Sequence, residues 1–239
     1  MTHFVGIGVG PGDSELLTLK AVQTLKQLDT LYVPHAHSGQ VSLAETIAQP
    51  YLKTTIEIKS RRFPMVRSQT VKAQEWQKIA DEIIADVNAG QEVGFLTLGD
   101  PAIYSTFSYL CNYLQGKIPI RSVAGISSFS QIASILVQPL ILDNESLAII
   151  PANKDPQQLE QLIDLNDNVV LMKLAVNFAK IYQILAQRNL LAQTTVIERA
   201  SMEQQVIKTM NQYHPEDKVP YFTTAVLRKE HTDVIQKNT

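Results

Sequence analysis

Phe4-Val5-Gly6-Ile7-Gly8-Val9-Gly10-Pro11-Gly12-Asp13 is the stretch on which the fold turns. Its first half is apolar and β-capable, and it runs into glycines and a proline, the signal of a strand that ends in a turn. A helix is predicted next: Leu16, Leu19, Val22, Leu25 and Leu28 recur every three residues, and Leu17 and Ala21 add an i, i+4 pair. Asp13 or Ser14 is suited to cap that helix, and Glu15 to face its positive end. Leu31-Tyr32-Val33 reads as a second strand, stopped by Pro34. Strand, turn, helix and strand open a parallel α/β sheet.

The rest of the chain extends this pattern. Short elements are predicted at Ser42 to Ala48 (helix) and Thr55 to Ile58 (strand). Trp76, Ile79, Ile83 and Val87 share one face of a helix over Val71 to Ala89, which Gly90 ends. Val93 to Leu98 is a buried strand, Tyr104 to Leu114 a helix, Ile118 to Val123 a strand and Ser127 to Leu136 a helix. Later strands are expected at Leu147 to Ile150, Val169 to Met172, Thr195 to Ile197 and Tyr221 to Leu227, with helices at Asp155 to Leu162 and Val176 to Gln187. The spacing in this last third is more hairpin-like, which implies a mixed sheet. The expected organisation is two α/β domains, 1–117 with a mainly parallel sheet and 118–239 with a mixed one.

Composition narrows the function classes. At 239 residues and 45% hydrophobic, the chain can bury a substantial core. A net charge of -2 gives no basic field for nucleic acid, though a local basic pocket could still hold a small anion. The single cysteine, Cys111, lies in an apolar stretch and fits a small core residue in a reducing compartment. No apolar run reaches the roughly 18 residues needed to span a bilayer, and residues 1–12 read as a strand and turn rather than a charged leader. A cytoplasmic protein without membrane or nucleic-acid partners is expected.

The first turn is not a dinucleotide fingerprint. Counting from Gly6 or Gly8 puts Pro11 or Asp13 where G-x-G-x-x-G needs its last glycine, and an acid at the helix start would repel a pyrophosphate. Alone, such a turn is as consistent with plain punctuation as with a site. Two further loops tip the balance. Thr97-Leu98-Gly99-Asp100-Pro101 and Ala124-Gly125-Ile126-Ser127-Ser128 each follow a strand, and loops at the carboxyl ends of parallel strands open on one edge. Asp100 is either a helix cap or a carboxylate for an ammonium or hydroxyl, and Tyr104 either core or site. Ser127 and Ser128 either cap a helix or hold a carboxylate or ribose. Together the three loops predict a ligand cleft.

Val9-Gly10-Pro11-Gly12-Asp13 followed by Leu16-Leu17-Thr18, then Gly99-Asp100-Pro101, then Gly125-Ile126-Ser127-Ser128, resembles the tetrapyrrole (corrin/porphyrin) methyltransferase family over nearly the whole chain. Within it, Phe63-Pro64-Met65, the stretch Gly99 to Phe107, and Pro139-Leu140 through Ala152 resemble the branch that methylates C20 of precorrin-2 or cobalt-factor II. Ala124 stands where the family usually has proline. The resemblance implies an S-adenosylmethionine-dependent C-methyltransferase of corrin (cobalamin) synthesis, with the methyl donor in the cleft between the domains, a tetrapyrrole substrate and a homodimer. It places Pro11 beneath the substrate. Gly99, Asp100, Ile103 and Tyr104 fall on the methionine side, Ser127 and Ser128 at the domain junction, and Met172, Ala200 and Thr223 beside adenine. Asp100 and Tyr104 are the nearest candidates for a catalytic proton acceptor.

A tetrapyrrole rich in carboxylates needs cations. Lys59-Ser60-Arg61-Arg62 and Arg67 form the densest basic stretch, and arginine binds carboxylates in a fork, so Arg61, Arg62 and Arg67 are expected substrate contacts; a solvated surface loop is the competing reading. His35 and His37 have no further ligand at metal-site spacing, so no metal is expected. The rivals are another methylase of the same family with different regiochemistry, or a noncatalytic module that keeps only the cofactor cleft.

Overall fold

The computed structural model describes residues 2–35, 42–63 and 69–229. The chain divides into two compact units, Met1–Ser128 and Phe129–Thr239. The junction lies later than the expected 117/118 boundary because the strand at Ile120–Val123 pairs in parallel with Phe4–Gly8 and so stays with the first unit.

In the first unit, β1 (Phe4–Gly8), β2 (Thr30–His35), β3 (Glu57–Arg62), β4 (Val93–Thr97) and β5 (Ile120–Val123) form a sheet in the order β3-β2-β4-β1-β5. Every pairing in it is parallel. Residues of β1 and β4 are buried throughout, because helices cover both faces. On one face α1 (Leu19–Leu25) and α2 (Leu43–Ala48) pack Ala21, Leu25 and Ile47 against Val5, Ile7, Leu31 and Leu96. On the other, α3 (Gln69–Asn88) and α4 (Thr106–Leu114) pack Trp76, Ile83, Phe107 and Leu110 against Phe4, Tyr32 and Phe95. Half-buried Cys111 packs against this second cluster, and burial pushes its thiol up.

The chain leaves β1 toward one face and β4 toward the other, so the strand order reverses between these two neighbours. Such a switch point opens a crevice at the carboxyl ends of the strands.

Local chemistry explains where the elements depart from the sequence expectation. Asp13 caps only a single 3-10 turn, Ser14–Leu16, and α1 begins later, where the Thr18 hydroxyl accepts from Ala21 N at 3.1 Å. Pro34 does not stop β2, since pairing with β4 ends at Tyr32 and the missing N–H faces no strand there. Tyr104 precedes α4 rather than lying within it, with φ 49.

The second unit contains α5 (Ser128–Leu136), β6 (Leu147–Pro151), α6 (Pro156–Leu165), β7 (Asn168–Met172), α7 (Phe178–Gln187), β8 (Thr194–Glu198), β9 (Val206–Thr209) and β10 (Thr223–Arg228). Its sheet, ordered β6-β7-β10-β8-β9, is mixed: β6 and β7 run parallel and the other pairs are antiparallel. Leu159, Ile163, Ile181 and Leu185 cover one face through Val169, Leu171, Val196 and Ala225, and Ile132 of α5 meets Val170, Ile197 and Val226 on the other. The two α/β units, parallel then mixed, match the sequence expectation.

Candidate functional site

All five strands of the first sheet end on one edge, and the loops after β1, β4 and β5 meet there through their glycines. Val9 N donates to Thr97 O at 3.0 Å, and Gly10 and Gly99 exchange two backbone hydrogen bonds, N to O at 3.3 and 2.7 Å. Both glycines take left-handed backbone, φ 79 and 73, where a side chain would be strained. The packing is closer still at Gly8 and Gly125. A Cβ on Gly8 would sit 2.6 Å from both Gly125 N and Gly99 O, and one on Gly125 would collide with Gly99 O and the Gly8 backbone. Three glycine-bearing loops thus stack backbone on backbone.

Polar side chains fasten this arrangement. The Asp100 carboxylate accepts from Ala102 N through Oδ1 at 2.8 Å and from Gly125 N through Oδ2 at 3.0 Å. Thr97 Oγ1 and Ser105 Oγ lie 2.9 Å apart in the core, and Ser105 Oγ accepts from Phe107 N to cap α4. Ser108 Oγ donates to Pro101 O at 2.9 Å, and Thr18 Oγ1 to Ala124 O at 3.4 Å. Pro11 is buried at the first turn, and Ile103 is half-buried, its N–H donating to Asp100 O at 3.2 Å. Tyr104 is 46% exposed, and partial burial pushes its phenol up. The Ser127 and Ser128 hydroxyls, directly after Gly125-Ile126, have no hydrogen-bond partner among the described residues.

The basic stretch splits by strand alternation. Lys59 and Arg61 turn toward α3: Lys59 Nζ lies 2.9 Å from both Asp86 oxygens, and Arg61 Nε donates to Glu82 Oε2 at 2.7 Å. Tyr32 OH donates to the same Asp86 at 2.6 Å, and the Arg61 guanidinium lies 5.8 Å from the Tyr32 ring centroid. Burial, reinforced by Asp86, drives the Tyr32 phenol well above its ordinary range. Arg62 is exposed on the opposite side of β3, in register with His35 at the carboxyl ends of β3 and β2, and has no partner among the described residues. Arg67 and His37 lie outside the described residues.

Met172, Ala200 and Thr223 gather on one edge of the second sheet. Thr223 is in register with Glu198 at the end of β8, and Arg199 N donates to Phe222 O at 2.7 Å. Sequence reasoning missed the strain beside them. Lys173 follows β7 with φ 58, and Arg199 and Ser201 flank Ala200 with φ 51 and 61, all non-glycine residues in left-handed backbone. It also missed Ser201, whose Oγ is buried without a hydrogen-bond partner among the described residues while its N–H donates to Gln205 Oε1. Such strain and such orphan atoms concentrate where a ligand is meant to sit. No residue pattern in the sequence signals either, since neither left-handed backbone at a lysine, arginine or serine nor an empty acceptor is spelled by residue type.

The chain was compared with known proteins. The family model for tetrapyrrole (corrin/porphyrin) methylases matches residues 3–213. A cobalt-precorrin-2 C(20)-methyltransferase of Salmonella typhimurium is 32% identical over 225 residues, 94% of this chain and 95% of the relative. A probable cobalt-precorrin-2 C(20)-methyltransferase of Methanocaldococcus jannaschii is 37% identical over 70% of each chain. Among solved structures, uroporphyrin-III C-methyl transferase of Thermus thermophilus complexed with S-adenyl homocysteine superposes with a TM-score of 0.68 at 19% identity, covering 95% of this chain and 92% of that one.

Proposed function

We propose that this chain, which belongs to the tetrapyrrole (corrin/porphyrin) methylase family, transfers a methyl group from S-adenosylmethionine to C20 of precorrin-2 or its cobalt form in corrin synthesis. The observation that carries this reading is the glycine-built edge at the β1–β4 switch point, in a chain that matches a C(20)-methyltransferase along nearly its full length. The names of both relatives favour the cobalt-bearing substrate.

The residues present suit such a donor. The first edge offers two hydroxyls, Ser127 and Ser128, for the amino-acid end. On the second unit the orphaned Ser201 Oγ beside Ala200 is an acceptor of the kind an adenine amino group uses, and Met172 and Thr223 join it as proposed adenine contacts. When bound, S-adenosylmethionine supplies a methyl already activated by a sulfonium. What the chain must do is orient and exclude water, the source of most of the gain in such transfers. Pro11 and Ile103 shape the apolar floor, and Tyr104 donates a hydrogen bond to the ring from its protonated phenol. Arg62 takes a substrate carboxylate; Arg61 is held by Glu82 and serves α3, and Arg67 is carried as a second carboxylate contact. A homodimer is part of the reading, supported by the family resemblance. So is a cytoplasmic setting, supported by the single cysteine and by the lack, among the described residues, of a helix long and apolar enough to cross a membrane.

The test is direct. Protein, S-adenosylmethionine and either precorrin-2 or cobalt-precorrin-2 are incubated, and the product is located by mass spectrometry and NMR. One added methyl at C20 is expected. A methyl elsewhere refutes the regiochemistry, and donor binding without any product refutes the enzyme. In the same assay Arg62→Ala should raise the apparent substrate constant about tenfold, the scale of one charge-assisted bond, while Arg61→Ala changes it less.

A further inference from the structure

The side chain of Asp100 spans a gap that the backbone alone does not close. Gly99 and Asp100 belong to the loop after β4, and Gly125 to the loop after β5. No strand pairing joins these loops, since β1 lies between β4 and β5 in the sheet. The loop after β1 is already tied to the loop after β4 by the Gly10–Gly99 exchange. One link is then missing, from the second loop to the third, and the Asp100 carboxylate makes it. Oδ2 accepts from Gly125 N at 3.0 Å while Oδ1 accepts from Ala102 N at 2.8 Å, which fixes the side chain within its own loop.

The glycines show why such a link is needed. Gly125 approaches Gly99 O and Gly8 so closely that no side chain fits, and close packing of this kind has little attraction of its own. Main-chain dipoles brought that near must be held in register by something stronger. A carboxylate accepting two N–H bonds is such a group, because charge-assisted bonds are about twice as strong as neutral ones.

We infer that Asp100 is a positioning residue, a clamp between the second and third glycine loops, rather than the base. This rests on the methyl-transfer reading only for its functional consequence; the clamp itself is a property of the free protein. Each oxygen accepts from a backbone N–H, so the carboxylate is held by the two loops it joins. It acts on the donor through Gly125 and the Ser127 and Ser128 hydroxyls that follow it.

Asparagine at position 100 separates the two roles. It keeps the shape, presents one acceptor oxygen instead of two, and turns an NH2 group toward one of the N–H donors. Amide hydrogen exchange on the ligand-free full chain is the first readout. The Gly125 amide should be protected in the natural protein and exchange about tenfold to about a hundredfold faster in Asp100→Asn, the scale of one charge-assisted hydrogen bond. Calorimetry with S-adenosylhomocysteine should show affinity weakened by a similar factor. The acid limb of the pH profile for methyl transfer should persist, at lower kcat/KM.

An unprotected Gly125 amide in the natural protein overturns the inference without recourse to any variant. Equal protection in both proteins overturns it too, as does an Asp100→Asn protein that binds S-adenosylhomocysteine normally but loses the acid limb, which would make Asp100 the base. Failure of the natural protein to bind S-adenosylhomocysteine would strike the methyl-donor reading and leave the exchange test of the clamp standing.

Discussion

The two units reach left-handed backbone at their strand ends by opposite means. In the first, the residues that take it directly after β1 and β4 are Gly10 and Gly99, where no side chain opposes it, and Tyr104, further along the β4 loop, is the exception at φ 49. In the second they are Lys173, Arg199 and Ser201, which keep their side chains and accept the strain. Each non-glycine residue so placed costs about 1–2 kcal/mol, and only surrounding structure can hold it there. The first edge brings bare backbone into contact with bare backbone; the second holds side chains and turns at fixed angles. The lesson is that a main-chain surface can be made either by removing Cβ atoms or by constraining residues that have them.

The comparison can be broken most severely at Gly125. Gly125→Ala puts a methyl against Gly99 O and Gly8, and overpacking of that kind costs about 1–3 kcal/mol or forces the third loop away. Calorimetry is expected to show donor binding reduced about a hundredfold, whereas alanine at Gly116, which has open space around its Cα, should leave binding unchanged despite its φ of 78. Binding retained in Gly125→Ala would show that the close approach is incidental.

A smaller effect is expected from alkali. Each unit buries one tyrosine against a carboxylate: Tyr32 OH donates to Asp86 at 2.6 Å and Tyr213 OH to Glu198 at 2.8 Å. Burial raises both phenols above their ordinary value of 10.0, and Tyr32, wholly buried, is shielded more deeply than Tyr213. A raised folded pKa means stability that is complete below about pH 10 and declines as pH climbs beyond it toward the folded value. The thermal midpoint should therefore fall above that pH. Tyr32→Phe should flatten the fall more than Tyr213→Phe, and the reverse ranking would mean that the second unit gives way first in base.

The mildest test is Arg199→Gly. Relief of left-handed strain is offset by the added freedom of glycine in the unfolded chain, so the urea midpoint should rise by the equivalent of about 1 kcal/mol or less. Donor affinity should fall modestly as the turn beside Ala200 loosens. A loss of stability would show that the Arg199 side chain, rather than its backbone, holds the turn.

Much of the first edge was legible because glycine and proline announce unusual backbone directly: Gly10, Gly99 and Gly125 marked all three loops. The helix over α3 was legible from Trp76, Ile79, Ile83 and Val87, all of which are buried. β9 was missed because Val206-Ile207-Lys208-Thr209 is a short edge strand with no buried residue. The late start of α1 was missed because Asp13 and Thr18 are both good caps, and only the fold decides between them. For Asp100 the sequence left a helix cap or a ligand carboxylate open and did not indicate the bond from Gly125, because that partner is remote in sequence and a long-range hydrogen bond leaves no local trace. Arg61 and Arg62 look alike in sequence; strand alternation, together with Glu82 on α3, is what separates them.

The Gly10–Gly99 exchange has a kinetic consequence. It is an isolated antiparallel bridge just past the end of the parallel β1–β4 ladder, so these two loops are tied to each other where the strands end and are not a hinged cover. A surface already set before its ligand arrives loses little conformational freedom on binding. Capture there needs no slow opening step, and differences in affinity among donor, product and variants are then expected to reside in how fast each one leaves.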